Sequence, residues 1–194
     1  HRRQGNRRHS IRSMKISDLK NSELLKIWDI PGHWYTSFPS LGHWKESYGH
    51  SEYEKDFTSF IHGENNTLHL YVHIPFCAKL CSYCICSILI SNDRVKIQFF
   101  LDHLLKEIDN LKAFYEKEGI TPNIQEVHFG GGTPSHLDRE QFESLCDRVR
   151  YLVGDEPLRE VAMEIDPRTI KEGDLAFYAA EGVTRISFGI QDFD

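Results

Sequence analysis

From residue 68 onward, short runs of β-forming residues alternate with longer amphipathic stretches. "LHLYVHI" (68–74) is bounded by Asn65, Asn66 and Pro75 and reads as a strand. Residues 93–116 read as a helix, with Val95, Phe99, Leu101, Leu105, Ile108 and Leu111 supplying an apolar stripe. "IQEVHF" (124–129) reads as a second strand, ended by Gly130, Gly131 and Gly132. Residues 138–153 read as a second helix: Asp138 is a candidate N-cap with Gln141 three residues on. Its buried face is expected to carry Phe142, Leu145, Cys146, Val149 and Leu152. "REVAMEID" (159–166) reads as a third strand, 169–181 as a third helix closed by Gly182, and "RISFGIQ" (185–191) as a fourth strand.

This alternation predicts an α/β fold whose parallel strands are joined by right-handed crossovers. Functional groups in such sheets gather at the C-terminal ends of the strands. The rule points to Cys77 onward after the first strand, 130–134 after the second, 164–166 at the end of the third and Gln191 at the end of the fourth. Polar and glycine-rich residues fall at all four places. Four strands do not close a barrel, and the chain stops at Asp194 straight after one, so 68–194 is expected to be an incomplete core within a longer protein. Residues 14–67 read as an N-terminal extension; its "PGHWYTSFPSLGHW" (31–44) has no clear period and suggests an ordered arm or loop.

Composition narrows the classes. With 194 residues and 40% hydrophobic content, the chain can build a core and is not disordered in type. No run approaches the roughly 18 apolar residues of a membrane span, and no secretory signal is visible. Net charge is −6, but residues 1–13 hold five arginines and no acid; removing those five positive charges leaves −11 on the rest. An acidic body argues against a nucleic-acid surface. With Met14 reading as a start, 1–13 is expected to be a non-native or disordered arm rather than a functional tail.

Four of the five cysteines, Cys77, Cys81, Cys84 and Cys86, lie within ten residues in the pattern C-x3-C-x2-C-x-C; Cys146 stands alone on its helix's apolar face. Nothing suggests export, so a disulfide framework is disfavoured and metal binding favoured. Three readings stay open. Positions i, i+4 and i+7 share a helix face, where cysteine acts as a small hydrophobe. Four thiolates could close around zinc, although the usual second C-x2-C knuckle is missing. Three spaced thiolates on one loop could instead hold three irons of a [4Fe–4S] cube and leave the fourth open.

C-x3-C-x2-C after a first strand resembles the radical S-adenosyl-L-methionine (SAM) enzymes. "YVHIPFC", the C-x-C at Cys84 and Cys86, "GGGTP", "MEIDP" and "GIQDF", with "YTSFP" at 35–39, together resemble the oxygen-independent coproporphyrinogen III oxidase (dehydrogenase) family over residues 34–194. The resemblance implies the N-terminal part of a partial (β/α)6 barrel. It implies that Cys77, Cys81 and Cys84 ligate a [4Fe–4S] cluster and that Cys86 does not. The open iron would chelate SAM, whose reductive cleavage gives a 5′-deoxyadenosyl radical that takes hydrogen from substrate. Family matching puts Tyr71, Gly131 and Glu164 around one SAM, and Tyr83, Gly132, Thr133 and Gln191 around a second where two bind; no catalytic side chain is assigned. It implies oxidative decarboxylation of porphyrinogen propionates to vinyls in haem biosynthesis, an electron donor such as flavodoxin or ferredoxin, and a cytoplasmic monomer without nucleic-acid or membrane partners.

Two competitors share the superfamily. A radical SAM methyltransferase or cyclopropanase shares the cluster loop. A non-catalytic haem chaperone is disfavoured by Cys86 and by the N-terminal extension. The chain departs from the family's C-G-C-N, reading "CICS": Ile85 and Ser87 replace Gly and Asn, which bears on the substrate. Read without the resemblance, Glu164 is as well explained by a surface charge, the GGG run by a strand-to-loop turn, and His73 by a satisfied structural role.

Overall fold

Each strand of the sheet has one apolar and one polar face, and this division places everything else. The computed structural model describes residues 47–190; 1–46, with the basic arm and "YTSFP", and 191–194, with Gln191, lie outside the described residues. The sheet belongs to a compact unit spanning His50–Asp194.

Strand β1 (Leu68–Ile74) pairs in parallel with β4 (Ile124–Gly131), β4 with β5 (Glu160–Glu164), and β5 with β6 (Arg185–Ser187). The spatial order β1-β4-β5-β6 follows the chain without reversal, as in a barrel wall rather than a doubly wound sheet. Alternation at period two turns Val72, Ile74, Val127, Phe129 and Met163 into the core, all at most 3% exposed. The opposite face is polar. Register puts Tyr71 beside His128 and His128 beside Ala162, while His69 pairs with Glu126 at 2.9 Å and Arg185 with Glu160 at 2.8 Å.

Helices cover the apolar face. Helix α2 (Arg94–Glu118) is capped by Asp93, whose carboxylate accepts from the Val95 and Lys96 N–H groups. Its buried positions are Ile97, Leu101, Ile108 and Tyr115. The expected stripe therefore needs correction: Leu101 and Ile108 belong to it, but Val95 and Phe99 are 79% and 66% exposed. Two residues of helix turn through about 200°, so once Ile97 faces the sheet, neither neighbour two positions away can.

Helix α3 (Arg139–Val153) follows its reading closely. Asp138 and Gln141 form a reciprocal capping box, and all five expected face residues are buried. Phe142 meets Phe129 at 5.3 Å and Tyr178 at 5.1 Å between ring centroids, both edge-on. Helix α4 (Asp174–Ala180) is shorter than the expected 169–181. Residues 166–173 turn instead, because the Asp174 carboxylate takes the Lys171 N–H and Asp166 caps its own turn. The fourth strand likewise pairs over Arg185–Ser187 alone.

Within the extension, α1 (His50–Ile61) is a helix that the sequence pattern does not announce. Ile61 is 2% exposed, and the Phe57 ring lies 6.0 Å from Tyr115. The helix thus packs with the sheet-bearing unit. Among the described residues, no helix is long and apolar enough to cross a membrane.

Candidate functional site

The cysteine loop is a loop with a closed neck. Strand β2 (Phe76–Cys77) pairs in parallel with β3 (Leu89–Ile90). The Leu89 N–H donates to the Pro75 carbonyl at 2.7 Å, and the Ser91 N–H to the Cys77 carbonyl at 3.1 Å. Residues 78–88 therefore leave the C-terminal end of the sheet and return to it, turning where the Cys84 N–H meets the Cys81 carbonyl at 3.1 Å.

His73 holds the far side of this loop. Its Nε2 lies 3.0 Å from the Ser87 carbonyl, which can only accept, so Nε2 carries the hydrogen. Nδ1 is then an acceptor, and the Tyr71 hydroxyl donates to it at 3.1 Å. The structural role expected for His73 is realised: both ring nitrogens are spent on positioning.

The glycine run makes room for this arrangement. At Gly131 φ is +109°, and a Cβ there would fall 2.6 Å from the His73 ring. A Cβ on Gly132 would fall 2.7 Å from the Pro75 carbonyl oxygen. The Gly132 and Thr133 N–H groups bond to the Ile74 and Phe76 carbonyls at 2.8 and 2.9 Å. Close backbone approach is thus required here by the protein's own chain.

Glu164 is no idle surface charge. Its Oε2 accepts the Gly131 N–H at 3.2 Å, and its Oε1 lies 3.1 Å from His128 Nε2. The Tyr71 ring stacks on His128 with centroids 5.7 Å apart. A carboxylate offers about four acceptor positions, so two remain for a further donor. His128 is a residue that sequence reading passed over. The period-two face it shares with Glu126 and Gly130, continuing from Tyr71 across the register, is the signal that finds it.

The thiols differ in setting. Cys77 is buried, with Sγ 3.2 Å from the Thr133 hydroxyl. Burial pushes its pKa up, while the Thr133 hydrogen bond pulls it down. Cys81 and Cys84 are half-buried and Cys86 is exposed; all are free thiols. Burial, then the neighbouring Cys84, raises the Cys86 pKa.

Cys77, Cys81, Cys84 and Cys86 face one open cavity of about 610 Å³, together with Tyr83, Gly131, Gly132, Thr133 and Glu164. Tyr71 does not line that cavity; its hydroxyl bonds to His73. Gln191 lies outside the described residues. The structure adds Asp166 and Arg168 to the wall, Arg168 being unforeseen. Among the described residues, no three His, Cys, Asp or Glu side chains converge closely enough to hold a single metal ion. Three soft, free thiols on one clamped loop, facing a cavity of this size, suit the spacing of an iron–sulfur cluster.

Comparison with known proteins identifies the class first. The Radical SAM superfamily pattern matches residues 71–194, the stretch that holds the parallel sheet and the thiol loop. Oxygen-independent coproporphyrinogen III oxidases of Pseudomonas aeruginosa and Escherichia coli are each 32% identical to the chain, over 90% and 88% of its length. That of Mannheimia haemolytica is 32% identical over 73% of the chain and 97% of its own length. The solved coproporphyrinogen III oxidase of Escherichia coli, described as a radical SAM enzyme, superposes with a TM-score of 0.70 at 30% identity over 89% of this chain. The chain belongs to the radical SAM superfamily and, within it, to the oxygen-independent coproporphyrinogen III oxidase family. A [4Fe–4S] cluster and SAM are the cofactors of that superfamily. The chain spans a little over a third of the length of the Pseudomonas and Escherichia relatives, 37% and 36%.

Proposed function

We propose that the whole protein is an oxygen-independent coproporphyrinogen III oxidase, which oxidatively decarboxylates porphyrinogen propionates to vinyl groups. The observation that carries this reading is the clamped loop that turns Cys77, Cys81 and Cys84 into one cavity with Glu164 and the glycine turn. Cys77, Cys81 and Cys84 would hold the cluster, and Cys86 remains a free thiol beside it. When bound, cluster and SAM supply the electron and the hydrogen-abstracting radical.

The chain's own residues position and exclude. The Tyr71–His73–Ser87 chain fixes the loop's far side. Gly131 N–H and His128 orient Glu164, whose free acceptor positions suit the ammonium or ribose hydroxyls of a first SAM. Tyr83, 59% exposed on the wall, offers an aromatic face to a second SAM, with Gly132 and Thr133 on the same wall; family matching would add Gln191 to that subsite. Ile85, Ile88 and Phe188 give the wall apolar area. A flavodoxin- or ferredoxin-type protein would supply electrons to a cytoplasmic monomer.

Anaerobic reconstitution should give about four irons and four sulfides per chain, and Cys81→Ala should lose them. One zinc per chain in their place would sink the reading. With SAM and a reductant, the whole protein should convert coproporphyrinogen III to protoporphyrinogen; methyl transfer to another acceptor would favour the methyltransferase class instead.

A further inference from the structure

We infer that Arg168 is a positioning residue for the cluster, donating an N–H to the sulfur of Cys81 and thereby stabilising the reduced state. The inference rests on the cluster reading above. Arg168 Nη2 lies 3.5 Å from Cys81 Sγ, across 87 residues of sequence. The guanidinium is not free to choose that place. Asp166 grips it side-on, Nε lying 2.9 Å from Oδ1 and Nη2 2.6 Å from Oδ2. The Arg168 backbone N–H also reaches Asp166 Oδ1 at 3.0 Å, so backbone and side chain close on one carboxylate.

Asp166 is anchored in turn. Its backbone N–H donates to Ser135 Oγ at 3.2 Å, and its carbonyl accepts the Thr169 hydroxyl at 2.8 Å. Ser135 and Thr169 hydroxyls meet at 2.7 Å. Ser135 follows the glycine turn directly, in the short 3₁₀ helix Pro134–His136. The "GGGTPS" turn and the "DPRT" turn are therefore one construction, and its outermost group is a cation aimed at a cluster cysteine. Asp166 already neutralises much of the charge at long range, so the directed N–H is the part the sulfur feels. Hydrogen bonds to cluster sulfurs and nearby charge raise a cluster's potential by favouring its more negative reduced state. The planar fork holds the carboxylate side-on and keeps an N–H directed at the sulfur, a fixed geometry that a rotatable ammonium lacks.

The test is an EPR-monitored redox titration of the reconstituted whole protein, with iron and sulfide measured first. Arg168→Gln should retain the cluster and shift the reduced-to-oxidised ratio at fixed potential about tenfold toward oxidised, ~59 mV for one electron. If Arg168→Gln does not retain the cluster, Arg168→Lys carries the test with a smaller shift in the same direction. An unmoved potential in the variant that retains the cluster overturns the inference. So does an unmoved potential with a raised KM, which would make Arg168 the partner of an anion in the cavity. A wild-type protein that takes up no cluster sinks the function reading and this inference with it. A normal cluster with an unmoved potential sinks this inference alone.

Discussion

Helix α3 and the cysteine loop each carry cysteine, yet opposite forces shape them. Helix α3 carries its instructions within or beside its own 15 residues: the Asp138–Gln141 box at one end, Gly154 at the other, and a periodic apolar face between. The loop has almost none. Its anchors are His73, Thr133 and Arg168, reaching their loop partners across 14, 56 and 87 residues. The thiols reflect this difference. Cys146 on α3 is 3% exposed, and burial pushes its pKa up to about 12, so it behaves as a small hydrophobe. The loop thiols face a cavity and are available as ligands. Local order makes a packing cysteine, whereas non-local order is what turns thiols toward a cavity.

Changes on the two sides should therefore fail differently. The largest stability loss is expected from Leu145→Ala on α3, fully buried, at about 2–5 kcal/mol in urea unfolding. Under folding conditions its iron uptake should match the wild type; a variant that folds but takes up no iron would break the comparison. Next comes Gly132→Ala, whose Cβ would press on the Pro75 backbone, at about 1–3 kcal/mol. It should also reduce iron uptake, because Thr133 is pushed from Cys77. Full iron content would show that the loop is held by less than its contacts suggest.

The smallest effect belongs to the foot of α3, where Arg139 pairs with Asp174 at 2.8 Å. The Lys171 backbone N–H, and then Arg139, hold the Asp174 carboxyl below the usual carboxylate range. Its contribution to stability is present above that range and is lost as pH falls through the folded value. Asp174→Asn should flatten the fall in Tm between about pH 5 and pH 3 while leaving iron uptake untouched. An unchanged slope would mean that the pair is solvent-screened.

Legibility followed the same division. The Leu68–Ile74 strand and the face of α3 could be read because period and caps are short-range signals. Val95 and Phe99 were misplaced because a long helix carries apolar residues on more than one face, and only the sheet selects which is buried. Helix α1 was missed because it is held by Phe57 on Tyr115 and Ile61 in the core, contacts far along the chain. Within the site, thiol spacing and the glycine run were visible as chemistry. His128 beside Glu164 and Arg168 beside Cys81 were not, since neither pairing leaves a spacing signature.

The strand–helix alternation, the end of the sheet at which function gathers, and three soft ligands at a spacing suited to a cluster are legible in the chain's local pattern, because they depend on neighbours a few residues apart. How those ligands are presented depends on contacts between distant segments. Parallel register brings Tyr71 against His128 and sets Gly131 under His73, and the turn after β5 carries Arg168 to Cys81. Those contacts join residues 57 to 87 apart in the chain, and only folding, which offsets the entropy of closing such loops, can form them.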